Sequence, residues 1–289
     1  MLPVENAAGV IHDIGYQRYT GPRLGRGYAA RSLYVHSLRT AFGLGRSAKA
    51  KIFPFIVVGL VFAIAVVAVV VRSQTGSPFI TYLQFPDTVG VPALLFLAIV
   101  APELLSRDLR AKVLPLYFSR PLARSDYALA KLAAMISAVW LLMAGPLLLI
   151  LLGGVFAQKR GWSGAWHEIT DCLGGLAYAG IYAVVYASIS VLVASLASRR
   201  AVAAAAIVAV FLVTAPVVGV LSAVGGRTMQ ELAPVLNPVT LVGGVKTVVF
   251  RYHNGLEVGD FGVMYIAIAI SLVIVCGTLL LARYRKVDA

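Results

Sequence analysis

Four histidines, His12, His36, His167 and His253, are the side chains best suited to proton transfer or metal binding near neutral pH. They are scattered, none is spaced as a His-x-x-x-His pair, and all four fall outside the apolar runs of the chain. Hydrolysis within a membrane needs paired carboxylates, such a metal pair, or a serine beside a base. Ser188 and Ser190 have no candidate base near them in sequence. Gly243-Gly244-Val245-Lys246-Thr247 imitates only the end of the phosphate-cradling pattern G-x-x-x-x-G-K followed by Ser or Thr, so ATP hydrolysis by that route is not expected of this chain. Cys172 and Cys276 lie in or beside apolar runs without paired spacing, which points to packing and not to a disulfide framework or a metal site. Ionisable residues within the apolar runs are scarce. Glu103 closes the second run and Asp171 opens the fourth, and their peripheral placement argues against a proton relay.

The scaffold that must carry these residues is unusually apolar: 60% of the 289 residues are hydrophobic and 13% are charged. A soluble domain carries roughly 25% charged residues. The run from Ile52 to Val71 has no charge, and about 20 such residues cross a hydrocarbon core. Six runs of this kind predict an all-α membrane protein with transmembrane helices at about 52–71, 89–105, 131–156, 172–197, 202–224 and 262–282. The second is short and holds Pro92 and Pro102. The first run starts too far along the chain for a secretory signal peptide, so it is expected to stay as an anchor.

Charge orients the chain. Of the 25 Lys and Arg residues, nineteen fall in segments 1–51, 106–131, 198–201 and the C-terminal tail, and six in segments 72–88, 157–171 and 225–261. Positive residues favour the cytoplasmic side, which puts both termini in the cytoplasm. The acidic residues divide evenly between the two sets, so the whole net charge of +13 belongs to the inner face. Anionic lipid, and no nucleic acid, is the partner this distribution implies.

Two further segments are expected to be helical. Residues 1–51 form a cytoplasmic N-terminal segment, and within it 28–50 lacks Pro. There Tyr34, Leu38, Ala41 and Phe42 recur at helical spacing while Arg31, Arg39, Arg46 and Lys49 supply charge, as in an amphipathic helix lying in the membrane interface or packed on a soluble partner. In the outer segment 225–261, Asn237-Pro238 precedes the apolar stretch Val239 to Phe250, which is too short to span and suits a re-entrant helix or a surface loop helix.

The cytoplasmic segment 103–131 mixes both signs of charge with aromatics, and Pro115 and Pro121 divide it. Leu114, Tyr117 and Phe118 form an apolar face ringed by Arg107, Asp108, Arg110, Arg120 and Arg124, as a docking surface requires. The run Ser-Arg-Asp-x-Arg, followed by Ala-x-x-Leu-Pro-Leu-Tyr-Phe-Ser-Arg-Pro-Leu-x-Arg-x-Asp-Tyr-x-x-x-Lys, resembles the first cytoplasmic loop of ABC-2 type transporter permeases, bacterial ABC exporter subunits that work with a separate ATP-binding subunit. The basic helix before the first span and the apolar stretch after Asn237-Pro238 are similar to that family in layout, so the likeness covers nearly the whole chain, but only the loop is specific.

The resemblance implies a permease in the cell membrane that pairs with a second permease, identical or not, and docks two copies of a cytoplasmic ATP-binding subunit. ATP and Mg would be bound by that subunit, with no cofactor in this chain. A coupling helix would lie within about Arg110 to Arg120, anchored by Leu114, Tyr117 and Phe118, with Arg107, Asp108, Arg120 and Arg124 setting polar contacts and register in a coupling loop that also holds Pro121. Helices 1, 2 and 5 would line the path. No fused ATPase and no large outer domain are expected, which suits an exporter. The alternatives are an anchor or sensor subunit that uses the same loop without transport, and a stand-alone secondary transporter.

Overall fold

The structure, a computed structural model, describes residues 21, 24–45, 48–110, 122–157, 161–252 and 256–286. Among them every regular element is helical. Eleven α-helices follow in order: α1 (Arg26–Ala41), α2 (Ala48–Thr75), α3 (Phe85–Thr88), α4 (Gly90–Arg110), α5 (Arg124–Ala157), α6 (Gly161–Leu196), α7 (Arg200–Leu212), α8 (Thr214–Val224), α9 (Arg227–Leu232), α10 (Pro238–Phe250) and α11 (Gly262–Arg285). In lipid the backbone must satisfy its own polar groups, so long uncharged runs of Leu, Val, Ala and Ile fold as helices.

Among the described residues five helical stretches are long and apolar enough to cross a membrane: Lys51–Thr75, Arg124–Ala157, Gly161–Leu196, Arg200–Val224 and Gly259–Arg285. A sixth is reached only if the bent pair Arg227–Leu236 and Pro238–Phe250 counts as one span. The expected span at 89–105 is a helix but is not among the five, because its apolar part covers only Gly90–Ser106. Pro92 falls in the first turn of α4, where its missing N–H has no intrahelical acceptor anyway, while Pro102 sits in the helix interior. The chain is therefore a helical multi-pass membrane protein.

Several helices outrun their apolar runs. α5 begins at Arg124 and not near 131, and α6 begins at Gly161 and not near 172. Hydrophobicity marks contact with lipid or core, whereas a helix continues through any residues that lack a stop signal. The expected helix at 202–224 is present as the one span Arg200–Val224, interrupted in its hydrogen bonding at Val213, which separates α7 from α8. Pro216 explains this, since its ring meets the carbonyl of Leu212 and it offers no N–H. The helix expected over 28–50 ends at Ala41, where Gly43 (φ 71°) and Gly45 (φ 79°) take up left-handed conformations that favour glycine.

α5 and α6 pack along one another as the central hairpin. α4 and α7 cover one side of it, α2 lies along α5, and α11 lies against α6 and α10. About two thirds of the apolar window of α6 is buried (67%), against 28% in α2 and 22% in both α7–α8 and α11, whose remaining surface faces outward. α1 also joins the bundle. Leu33, Ser37 and Ala41 are buried, and Tyr34, Leu38 and Phe42 pack on the core, with the Phe42 ring tilted against Phe96 at 5.7 Å. The aromatic stripe of α1 is thus covered by its own chain, and Arg31 and Arg39 are left on the outer face.

Candidate functional site

Three polar clusters interrupt the apolar bundle. At one end, Lys131 is 4% exposed. Its ammonium donates to the Leu104 carbonyl at 3.0 Å and pairs with Asp108 at 2.9 Å. The Tyr127 hydroxyl donates to the same Asp108 oxygen at 2.7 Å, and the Tyr127 ring packs 5.2 Å from that of Tyr284. Nearby, Arg200 pairs with Glu103 at 2.6 Å, the Ser106 hydroxyl donates to Ala194, and Arg124 donates to the Arg285 carbonyl at 2.9 Å. Arg26 reaches Asp126 with two nitrogens, and the Tyr34 hydroxyl donates to Ser137 at 2.9 Å. Asp126 holds the Arg26 guanidinium above its ordinary pKa by hydrogen bonding first and charge second.

This end carries the base of the segment expected to dock a partner. Of its expected residues, Asp108 and Arg124 are fixed as described, and the backbone of Arg107 and Arg110 belongs to α4. The side chains of Arg107 and Arg110, and all of Leu114, Tyr117, Phe118, Arg120 and Pro121, lie outside the described residues. Thus α4 enters the segment and α5 leaves it from one cross-linked base, held by Lys131 and Asp108.

At the other end, Arg72 makes a two-pronged pair with Glu168, at 2.9 and 2.5 Å, and the Tyr82 hydroxyl donates to Glu168 at 2.7 Å. Burial and Glu168 together push the Tyr82 hydroxyl far above its ordinary pKa, so it stays a donor. Two glycines make room. A Cβ at Gly154 would stand 2.6 Å from the Glu168 carboxylate, and one at Gly175 would stand 2.8 Å from the backbone oxygen of Tyr82. At ~1.5 Å per residue, α5 from Lys131 to Gly154 is about 35 Å long, close to a hydrocarbon core of ~30 Å with its margins. The two ion pairs therefore bracket one membrane thickness.

The third cluster lies between them. Asp87, in α3, accepts from the Tyr178 hydroxyl at 2.5 Å and from the ammonium of Lys246, in α10. Lys246 is 2% exposed, and its nitrogen stands 5.3 Å from the Tyr178 ring centre and 4.8 Å from that of Tyr252. Tyr178 is ten residues past Glu168 on α6, about 15 Å further into the bundle. From it an aromatic column continues along one face of α6: Tyr182 stacks on Tyr186 at 3.8 Å, and Tyr186 packs 4.5 Å from Phe211.

By sequence Asp87 and Lys246 fall in outer connections, and the structure brings the two connections together against α6. The available signals were a lone lysine in the apolar stretch Val239 to Phe250 and tyrosines at 178, 182 and 186, four residues apart on one face of an expected span.

Asn237 explains how α10 is held. Its Oδ1 accepts from the Val239 N–H at 2.7 Å and the Thr240 N–H at 3.4 Å, capping α10, with Pro238 at the first helical position. Its Nδ2 donates to the Phe211 carbonyl at 2.9 Å and the Thr214 hydroxyl at 2.8 Å, at the break between α7 and α8. The helices on either side of Asn237 meet at 115°. The excursion begins and ends close together. The Tyr265 hydroxyl donates to the Glu231 carbonyl at 2.6 Å, and a Cβ at Gly259 would collide with the Glu231 side chain.

His12 and His253 lie outside the described residues, and within those residues the remaining candidates do not assemble. Ser188 donates to Val184 within its own helix, His36 is exposed, and His167 lies 3.9 Å from Asp171 on the same helix face. Among the described residues no three His, Cys, Asp or Glu side chains come together as a metal site. No protein-family model matches the chain, and no curated protein matches it.

Proposed function

We propose that the chain is the permease subunit of an ATP-driven exporter in the cell membrane, paired with a second permease and docked by a separate cytoplasmic ATP-binding subunit. The observation that carries this reading is the segment 103–131, whose charged and aromatic pattern resembles the coupling loop of ABC-2 type permeases. Its base supports the same role. Asp108, Lys131, Tyr127 and Tyr284 tie the two ends of the loop to α4, α5 and α11, so a push on the loop would move three helices together. ATP and Mg would sit in the partner, and the permease would alternate between two states that ATP binding biases.

Topology fits this reading. α4 is tied to α5 through Leu104 and Lys131 at one end, and Asp87, just before its start, is tied to Tyr178 of α6 deeper in the bundle, so α4 passes through much of the thickness that the central hairpin crosses. Counting α4 as a crossing gives six, with both termini on the side that holds nineteen of the 25 basic residues, the cytoplasm. The bent pair then enters and leaves on the outer side as a re-entrant hairpin, because Glu231 and Tyr265 hold its two ends together. α1 would lie at the inner membrane boundary with Arg31 and Arg39 toward lipid head groups. A test is to change Tyr117 and Phe118 together to Ala. Transport-stimulated ATP turnover should be lost, and an intact, normally coupled complex would refute the docking assignment.

A second reading is favoured by one observation. The Asp87–Lys246 pair is the kind of intramembrane charge that ion-coupled carriers use, and it keeps a stand-alone secondary transporter in view. Solute uptake into sealed vesicles holding the chain alone, without ATP, would support that reading over the first.

A further inference from the structure

The environment of Lys246 is that of a bound organic cation. Two aromatic ring faces and one carboxylate enclose the ammonium, an arrangement that recognises primary and quaternary ammonium groups in general. A metal ion would instead require about six oxygen ligands, and the cage offers ring faces in their place. The cage is also unequal. Lys246 is 2% exposed, while the Asp87 side chain is 40% exposed, so the carboxylate that holds the lysine can be approached from the opposite side. The Tyr178 hydroxyl fixes the orientation of that carboxylate through its other oxygen. The aromatic column of α6 runs on from Tyr178 of the cage through Tyr182 and Tyr186. There the Tyr182 hydroxyl is buried against Gly90, three residues from Asp87. A ligand with an ammonium head and an apolar body matches this sequence of surfaces.

We propose that Asp87, Tyr178 and Tyr252 form a binding site for the ammonium head of a lipophilic amine, and that Lys246 fills it as a tethered stand-in while no ligand is bound. Lysine suits that part because its flexible stem can swing the charge out of the cage without displacing α10. The proposal names a cargo class for the transporter reading and rests on that reading for its role in export. Binding itself needs only this chain.

The test uses the full chain in lipid nanodiscs with dansylcadaverine, a primary amine whose emission rises in apolar surroundings, and dansylamide as the uncharged control. Lys246→Met removes the competing cation and should tighten dansylcadaverine binding about tenfold or more. Asp87→Asn in the Lys246→Met background should abolish that gain, and dansylamide should bind all variants equally. Lys246→Gln is read in the same way if the methionine variant does not purify as a single species. Binding no tighter than wild type in the lysine variants, or an undiminished gain with Asp87→Asn, would overturn the site. An equal gain for dansylamide would also overturn it, as it would show only a new apolar cavity. None of these results depends on an ATPase. Failure here leaves the docking test of Tyr117 and Phe118 standing, and failure there leaves the binding result standing.

Discussion

Replacing Asn237 tests whether α10 is merely capped or is also latched to the break between α7 and α8. Asn237→Ala removes the cap on Val239 and Thr240, worth ~1 kcal/mol. It also removes the bonds to the Phe211 carbonyl and the Thr214 hydroxyl, each worth ~0.6 kcal/mol by the average for side-chain bonds within membrane bundles. The sum is about 2 kcal/mol, which lowers the melting temperature by about 4–8 °C at the ~2–4 °C per kcal/mol typical of mid-sized chains. Tryptophan fluorescence on heating in detergent reads the shift. Asn237→Asp is the sharper variant. It keeps an acceptor for the cap, loses both donors, and sets a carboxylate against the Phe211 carbonyl, so it should destabilise more than Asn237→Ala. An Asp variant that melts like wild type would refute the latch and leave capping as the whole contribution.

Other consequences follow from the clusters. Glu168→Gln strips the anion from a buried, two-pronged pair and should cost about 3–5 kcal/mol, with partial recovery when Arg72→Met is added, as read by thermal unfolding. Gly175→Ala should destabilise by about 1–3 kcal/mol because its Cβ meets the backbone of Tyr82, whereas Gly219→Ala, with open space around it, should be neutral or mildly stabilising. Single cysteines at Thr75 and Trp162 should react with an impermeant maleimide on intact cells, and one at Ser198 only after permeabilisation. The native Cys172 and Cys276 are buried and should contribute little background.

The helices were readable because lipid solvation imposes uninterrupted apolar runs, and the runs at 52–71 and 262–282 fall within α2 and α11. Their ends were less readable. Gly161 to Asp171 is polar enough to suggest a loop, yet it extends α6 and brings Glu168 to Arg72. The Asn237-Pro238 pair signalled a helix start by its own chemistry, but its attachment to Phe211 depends on a break caused by Pro216. The Asp87–Lys246 pair was illegible for a similar reason. Its members are 159 residues apart, and each sits in a segment whose composition suggests an outer connection. A salt bridge across such a distance leaves no pattern in one sequence, although an isolated lysine in an apolar stretch is a signal that some buried anion must meet it.

The central claim, a permease driven by a separate ATPase, is tested most directly in inside-out membrane vesicles that hold the full complex, with a fluorescent lipophilic amine supplied in the outer solution. The account predicts amine accumulation only with ATP and Mg, lost in the Tyr117→Ala/Phe118→Ala variant while its helices remain folded by circular dichroism. Accumulation that proceeds equally without ATP, or that survives the double substitution unchanged, would contradict it.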